Sequence, residues 1–444
     1  MRRKQYTKNE CVGGGNLEVF FIKGQVPLKG VVRISGAKNA AVAILPAIIL
    51  SDEVCIIENV PNINDVTHMA RILEQMGATV TMKNKSTFSI DARKIQSHVA
   101  DFDSVRHMRA SSYLLGALLG RFHKAAVSLP GGCDFGVRPI DQHLKGFSAL
   151  GATHSVEAGL VHVNAEKLVG DTVYMDVVSV GATINVILAA VKAEGNTVIE
   201  NAAKEPHIVD LANFLNSMGA EISGAGTDTI KIKGVRYLSG TTYSIIPDQI
   251  EAGTYMAATA ATGGNVLIEN VIPKHLESIT AKLQEMGVTV EEFDEAVRVS
   301  VNGKLNKCNV KTMPHPGFPT DMQPQITALL TLAEGTSIVN ENVWDNRFRY
   351  IEELNRMGSK ISVDGKTAVV EGVPELTGTT VKALDLRAGA AMIIAALSAT
   401  GTTIIEDIHH IERGYEYLLE KLTALGADIT RQYVPAENSI PKAL

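Results

Sequence analysis

NTVIENAAKEPHIVDLANFLNSMGAEI, residues 196–222, is the stretch whose reading decides the fold. It opens as a strand-like apolar run, continues as an amphipathic helix, and restarts as a strand just after Gly219. A glycine there is where a left-handed C-cap stops a helix, because it has no Cβ to clash. The same pattern returns in residues 54–80, 125–154, 265–290, 336–361 and 402–429, which makes six copies. Their helix-ending glycines are Gly77, Gly151, Gly219, Gly287, Gly358 and Gly426, spaced roughly 70 residues apart.

Ahead of each copy lies a second helix that is apolar nearly all round, in residues 37–50, 109–120, 181–195, 251–264, 321–335 and 387–401. A helix apolar on every side is buried on every side. Each unit therefore puts one helix inside and shows a sheet and an amphipathic helix outside. The predicted fold class is α/β, with two inside-out α/β barrel domains of three repeated units each. Two strand-like runs, LEVFFIKG (17–24) and VVRISG (31–36), precede all of this and complete nothing nearby. The simplest closure pairs both with the last copy. Domain one, carrying the cysteine loop, then covers 38–246; domain two covers 17–37 plus 247–444, and 1–16 form a disordered lead-in. A simple split near residue 240 is the alternative.

Composition narrows the function classes. The chain has 444 residues, more than one core ordinarily supports, and its 45% hydrophobic and 20% charged content describes a soluble globular protein. A net charge of −6 gives no electrostatic footing for nucleic acid, so anionic ligands need local basic clusters. The four cysteines, Cys11, Cys55, Cys133 and Cys308, match neither a zinc spacing nor a disulfide framework. No metal and no cofactor is implied, and a reducing cytoplasm fits. The longest apolar run, residues 40–50, holds Pro46 and is too short to span a bilayer; the basic N-terminus lacks the apolar run of a signal peptide. A cytoplasmic protein without membrane insertion is expected. Nothing in the sequence fixes the oligomeric state, for which a monomer is the expectation.

Two features carry chemistry. LPGGCDFGVRPIDQ, residues 129–142, presents a single thiol, Cys133, between glycines, with Arg138 five residues on. A neighbouring guanidinium favours the thiolate and grips carboxylate or phosphate in a fork, so this reads as a reactive thiol beside an anion site. The second copy also has the longest connection between its strand end and its capping glycine, and such grafts on a repeat serve binding. The other feature is the polarity of the starts of the buried helices: Lys38 and Asn39, Arg109, Ser179 with Gly181 and Thr183, Asp321, and Arg387 just after Asp385. Ser179, Asp321 and Asp385 read either as helix caps or as ligand groups. The cations Lys38, Arg109 and Arg387 oppose the helix dipole and so call for a compensating ligand; Arg413 carries the same inference. If the two domains aim these ends at each other, the gap between them is an anion-binding cleft.

The motifs ISGAKNA, RASSYLLG, LPGGCDFGVRPID, SVGAT, NAAKEPHIVD, PGFPTDMQ, NRF, DLRAG and IERGYE together resemble the bacterial UDP-N-acetylglucosamine 1-carboxyvinyltransferase family over roughly residues 17–430. The resemblance implies transfer of enolpyruvate from phosphoenolpyruvate to the 3′-hydroxyl of UDP-N-acetylglucosamine, with release of phosphate, in the first committed step of peptidoglycan synthesis. It implies Cys133 as general acid toward the methylene carbon, as the site of a covalent adduct, and as the target of fosfomycin. Lys38, Arg138 and Arg413 would hold the phosphate and carboxylate of phosphoenolpyruvate, with Asn39 shared between substrates and Arg387 nearby. Asp321 would accept the proton of the sugar hydroxyl, with Asp385 in support. Arg109, Arg138, Pro139, Ile140, Asp141, Gln142, Ser179, Val180, Gly181 and Val343 would line the sugar-nucleotide site.

Those residue types suit the reaction. Adding an alcohol across an enol needs one proton delivered to carbon and one removed from oxygen, hence one acid and one base. Arginines and a lysine hold the anionic groups beside the developing positive centre. Val177 stands where some relatives carry lysine, which removes a cationic contact to the diphosphate. The nearest rival is the shikimate-pathway synthase on the same scaffold, which lacks the PGGC loop. A non-catalytic repeat scaffold is the rival of a different class, and a thiol, a carboxylate and several cations in one register argue against it.

Overall fold

The computed structural model describes residues 16–101, 105, 108–128 and 140–435. Among them, the strands form six four-stranded sheets of one recurring order. In the unit of the opening stretch, Thr172–Tyr174 runs parallel to Asn196–Glu200, which pairs antiparallel with Thr229–Lys233, which in turn pairs antiparallel with Glu221–Ser223. Alternate residues of the central strands, Thr197 with Ile199 and Ile230 with Ile232, are buried, so each sheet turns one face inward. The outer helix Pro206–Ser217 covers that core with Ile208, Leu211, Phe214 and Leu215. All six repeat glycines take φ between 87 and 112°, the left-handed stop that their spacing predicts.

The second helix of each unit is inside. Lys38–Ala47, Tyr113–Phe122 and Val180–Ala190 lie in one apolar cluster, drawn from residues 37–245. Gln249–Ala261, Gln323–Leu330 and Leu386–Ser398 lie in a second, drawn from residues 20–34 and 250–429. These are two inside-out α/β halves of three units each. No helix among the described residues is long and apolar enough to cross a membrane.

The chain's first strand closes the last sheet as expected: Asn16–Lys23 pairs antiparallel with both Thr402–Glu406 and Asp428–Pro435. The second run does not. Lys29–Arg33 pairs parallel with Asn265–Glu269 of the fourth copy, a correction to the expectation that both runs join the last one. The reason is an exchange of edge strands. In the sheets of copies two, three, five and six, the parallel edge strand immediately precedes that unit's own inner helix. Lys29–Arg33 precedes the first inner helix but completes the fourth sheet, while Thr242–Ser244 precedes the fourth inner helix but completes the first, against Cys55–Glu58. The last sheet already has Thr380–Lys382 in that place.

The two crossing segments pair with each other. Ala37 N–H donates to the Ile246 carbonyl at 2.7 Å and Asp248 N–H to the Ser35 carbonyl at 2.9 Å. Asn59 and Asn270, at equivalent strand ends and both at positive φ, donate their side-chain amides to the carbonyls of Ile245 and Ile34, one on each segment. The link between the halves is thus double and short, and it sets the starts of Lys38–Ala47 and Gln249–Ala261 side by side.

Candidate active site

The polar starts of three inner helices, at Asn39, Asp321 and Arg387, meet between the halves. Asn39, on the first turn of Lys38–Ala47, reaches across with its Nδ2 to Asp321 Oδ2 at 3.4 Å. Asp321 lies in the single turn Thr320–Met322 before the helix Gln323–Leu330 and does not cap it. Its carboxylate takes Arg387 Nη2 at 2.9 Å on one oxygen and faces Arg347 Nη2 at 3.6 Å on the other. Burial alone would push this acid up, but Arg387, Arg347 and Lys38 outweigh it and hold Asp321 well below the ordinary carboxylate range. Its side chain keeps 29% exposure, so an ionised carboxylate faces the gap with room to take a proton.

Ser179 and Asp385, by contrast, are caps. Ser179 Oγ accepts from Ala182 N–H, and Asp385 accepts from the N–H groups of Arg387 and Ala388 at 2.8 and 3.1 Å. Arg387 is 4% exposed; burial opposes its charge, Asp321 more than restores it, and the guanidinium stays protonated at any accessible pH.

Lys38, Arg387 and Arg413 have partners within the protein, where the sequence called for an external anion. Lys38 Nζ lies 3.1 Å from Asp65 Oδ2 and Arg413 Nε 3.0 Å from Asp65 Oδ1, so one carboxylate bridges a cation from each half. Asp65 is 5% exposed, and although burial raises its pKa, Lys38 and Arg413 bring it below the usual value. This group sets two cations on one carboxylate, so it keeps a net positive charge for an incoming anion.

Several of the residues expected at a sugar-nucleotide site lie in the first half. Gln142, on the first turn of Asp141–Ala149, donates to Asp141 at 3.0 Å and to Asp176 at 3.2 Å, and accepts from Asp176 N–H. That lacing ties the start of Asp141–Ala149 to Asp176, three residues before Ser179. Gly181 packs on the ring of His143, where a Cβ would come within 2.9 Å. Val177 is 60% exposed next to them. Val343 belongs to the second half. Its N–H and that of Trp344 donate to the buried carboxylate of Glu341, which also accepts from Thr312 and from Thr320, the neighbour of Asp321. Cys133, Arg138 and Pro139 lie outside the described residues, as does the side chain of Arg109.

Asp65, Arg347 and Tyr415, whose hydroxyl lies 3.3 Å from Arg387 Nη1, adjoin these residues and were not singled out from the sequence. Asp65 sits in the first turn of the outer helix Asn64–Gln75, where an acidic residue reads as an ordinary partner of the helix dipole. Arg347 falls within the NRF motif but has no periodic signal of its own.

Residues 22–422 match the family model of EPSP synthase (3-phosphoshikimate 1-carboxyvinyltransferase). The chain is 60% identical over 411 residues to the UDP-N-acetylglucosamine 1-carboxyvinyltransferase of Clostridium botulinum, covering 92% of this chain and 99% of that one. It is 58% identical over 415 residues to UDP-N-acetylglucosamine 1-carboxyvinyltransferase 3 of Caldanaerobacter subterraneus, with 94% and 99% covered. Among solved structures, the enolpyruvyl transferase NikO from Streptomyces tendae aligns with a TM-score of 0.86 at 28% identity, over 95% of this chain and 100% of that one. An EPSP synthase from Acinetobacter baumannii shares the fold, with a TM-score of 0.73 at 17% identity over 94% of this chain and 100% of that one.

Proposed function

The chain belongs to the EPSP synthase family and, within it, to the UDP-N-acetylglucosamine 1-carboxyvinyltransferases, and from that premise we propose how its residues perform the reaction. The enolpyruvyl group of phosphoenolpyruvate passes to the 3′-hydroxyl of UDP-N-acetylglucosamine, phosphate leaves, and the product enters peptidoglycan synthesis. The observation that carries the residue roles is the Asp321 carboxylate: held ionised by Arg387 and Arg347, touched by Asn39 from the opposite half, and still open to the gap.

In the addition step the Cys133 thiol gives its proton to the methylene carbon. The sugar oxygen bonds to the adjacent carbon, and Asp321 takes the hydroxyl proton. The result is a tetrahedral ketal carrying both the sugar and the phosphate. In the elimination step a methyl proton returns to the Cys133 thiolate, the double bond re-forms, and the carbon–oxygen bond to phosphate breaks. The proton on Asp321 leaves with the phosphate or to solvent, so the groups reset. Lys38, Arg138 and Arg413, with Asn39 and Arg387 beside them, hold the phosphate and carboxylate of phosphoenolpyruvate, and their charge offsets the negative charge of those groups and of the departing phosphate. Cys133 is also the atom of a covalent adduct. Arg109, Arg138 to Gln142, Ser179 to Gly181, Asp321 and Val343 line the sugar-nucleotide site. Asp385 acts on the same site by fixing the backbone of Arg387.

The moving bodies in this reading are residues 38–246 and residues 17–37 with 247–444, hinged at the paired crossing segments, with the cytoplasm as the place of work. The chain works as a monomer in this reading. Phosphate release from phosphoenolpyruvate tests the acceptor: UDP-N-acetylglucosamine supports release and shikimate 3-phosphate does not. Release with shikimate 3-phosphate alone, or with neither, overturns the reading. The thiol is tested separately by intact mass. Fosfomycin in the presence of the sugar nucleotide adds once to the protein and not to Cys133→Ser; an adduct that persists in the variant removes Cys133 from its role.

A further inference from the structure

Tyr415 is 3% exposed, stands two residues after Arg413, and has no part in the proton transfers of the proposed reaction. Its hydroxyl lies 2.9 Å from Thr254 Oγ1, 3.3 Å from Gln325 Nε2 and 3.3 Å from Arg387 Nη1. Those three partners come one from each inner helix of the second half, Gln249–Ala261, Gln323–Leu330 and Leu386–Ser398. A single phenol therefore ties the three buried helices together, close to their starts.

The direction of each bond follows from what each group can do. Thr254 spends its proton on the Ile250 carbonyl at 2.7 Å, so its oxygen is left to accept. A guanidinium and a side-chain NH2 can only donate. Tyr415 therefore gives its proton to Thr254 and accepts from Arg387 and Gln325. The other arm of the same guanidinium, Nη2, reaches Asp321 Oδ2 at 2.9 Å, and its central carbon lies 5.7 Å from the centre of the Tyr415 ring. A guanidinium gripped at one nitrogen and backed by a ring has its plane fixed.

The geometry points to Tyr415 as a positioning residue for the transfer reaction: it sets the bearing of Arg387, and through it the orientation of the Asp321 base. This rests on Asp321 being the base of the proposed reaction. Tyr415 touches no substrate and acts only through Arg387. Without the phenol oxygen Arg387 keeps its charge but loses the hold that aims Nη2, and Asp321 loses a partner at a fixed angle. The other charged and titratable groups facing this pair are Arg347 and Asp248 of the same half, and Lys38 and His207 of the other.

The test is Tyr415→Phe in the full-length protein, assayed for phosphate release with each substrate varied in turn. A misaimed base costs turnover, so kcat falls about tenfold to a hundredfold while KM for either substrate moves less than about threefold. A role in packing alone would lower stability or raise KM and leave kcat at saturating substrates where it was. A folded variant with unchanged kcat, or one whose whole loss is in KM, overturns the proposal. Thr254→Val removes the acceptor of the Tyr415 proton while leaving the site itself intact, and carries the same test should Tyr415→Phe fail to fold. It lowers kcat by a smaller amount, about threefold, with KM again little changed. A wild-type protein that releases no phosphate with UDP-N-acetylglucosamine sinks the functional reading and this inference with it, whereas an active wild type with an indifferent variant sinks this inference alone.

Discussion

The Asp65 carboxylate lies 3.0 Å from Arg413 Nε, joining residues 348 apart in the sequence and on opposite sides of the gap between the halves. Three residues before Asp65, Asn62 N–H donates to Glu416 at 2.8 Å and the Asn62 amide to the Tyr417 hydroxyl at 3.0 Å. The start of the outer helix Asn64–Gln75 is thus docked on the turn that carries Arg413. Lys38, bonded to the other oxygen of Asp65, makes this one carboxylate the meeting point of two cations that the proposed reaction uses.

Asp65→Asn keeps the shape of that group and removes its charge. Lys38 and Arg413 then face each other with no anion between them and separate. KM for phosphoenolpyruvate is expected to rise about tenfold, corresponding to about 1–3 kcal/mol for a lost charged hydrogen bond, with partial recovery in Asp65→Glu. Each half keeps its own core, so thermal melting changes little. Steady-state kinetics at fixed ionic strength check this, and a KM equal to that of the wild type would remove Asp65 from the site.

Asp321→Asn retains an oxygen for Arg387 but cannot take a proton. The expected loss is about a thousandfold in kcat, with KM for both substrates changed only a few-fold, as for a group used only in the transition state. In the wild type the depressed pKa of Asp321 means that the base stays ionised as the medium is acidified. The acid limb set by this group therefore lies below the ordinary carboxylate range, and kcat/KM loses nothing through Asp321 between about pH 7 and pH 5. A limb near neutrality that disappears in Asp321→Glu would contradict the assignment.

The repeat was legible because its signals are local. Gly219 and its five equivalents stop helices through their own backbone conformation, and Ala388 to Leu397 show burial on every side in their composition. The exchange of Lys29–Arg33 and Thr242–Ser244 was not legible, since which sheet an edge strand joins is decided by pairing with a strand far away in the sequence. Asp321 and Arg387 were visible as charges at the starts of apolar helices. Asp65 and Tyr415 were not, because an acid in a first helical turn and an aromatic in a short turn are what any outer layer shows. The same ambiguity let Asp385 and Asp321 read alike, although one caps a helix and the other faces the gap.

Gly181→Ala tests the nucleotide side without touching Asp321. The new Cβ would stand 2.9 Å from His143 Cε1 and 3.0 Å from its Nε2, and that buried ring is held by Asn185 and has nowhere to go. The start of Val180–Ala190 must shift instead, and overpacking of this kind costs about 1–3 kcal/mol. KM for UDP-N-acetylglucosamine is expected to rise about tenfold while KM for phosphoenolpyruvate stays put. Equal changes in both would place the effect in general stability instead.

His143 itself gives a pH signature. Gly116 N–H donates to Asn185 Oδ1 at 2.7 Å, which turns the Asn185 amide so that its Nδ2 faces His143 Nδ1 at 2.8 Å. That ring nitrogen must accept, so the imidazole is neutral and carries its proton on Nε2. Burial pushes its pKa down to about 4 against the ordinary 6.5, and the nearby Asp141 offsets this only in part. The unfolded chain takes up the proton first as pH falls. The contribution to stability is therefore complete above pH 6.5 and is lost as pH drops toward 4, reaching about 2–3 kcal/mol by pH 4.5. Chemical denaturation at pH 7 and at pH 4.5 should show the wild type losing that much more stability than His143→Gln, whose amide oxygen can still accept from Asn185. Equal losses in the two proteins would mean that the ring is protonated in the folded state and that Nδ1 donates to Asn185 instead of accepting from it.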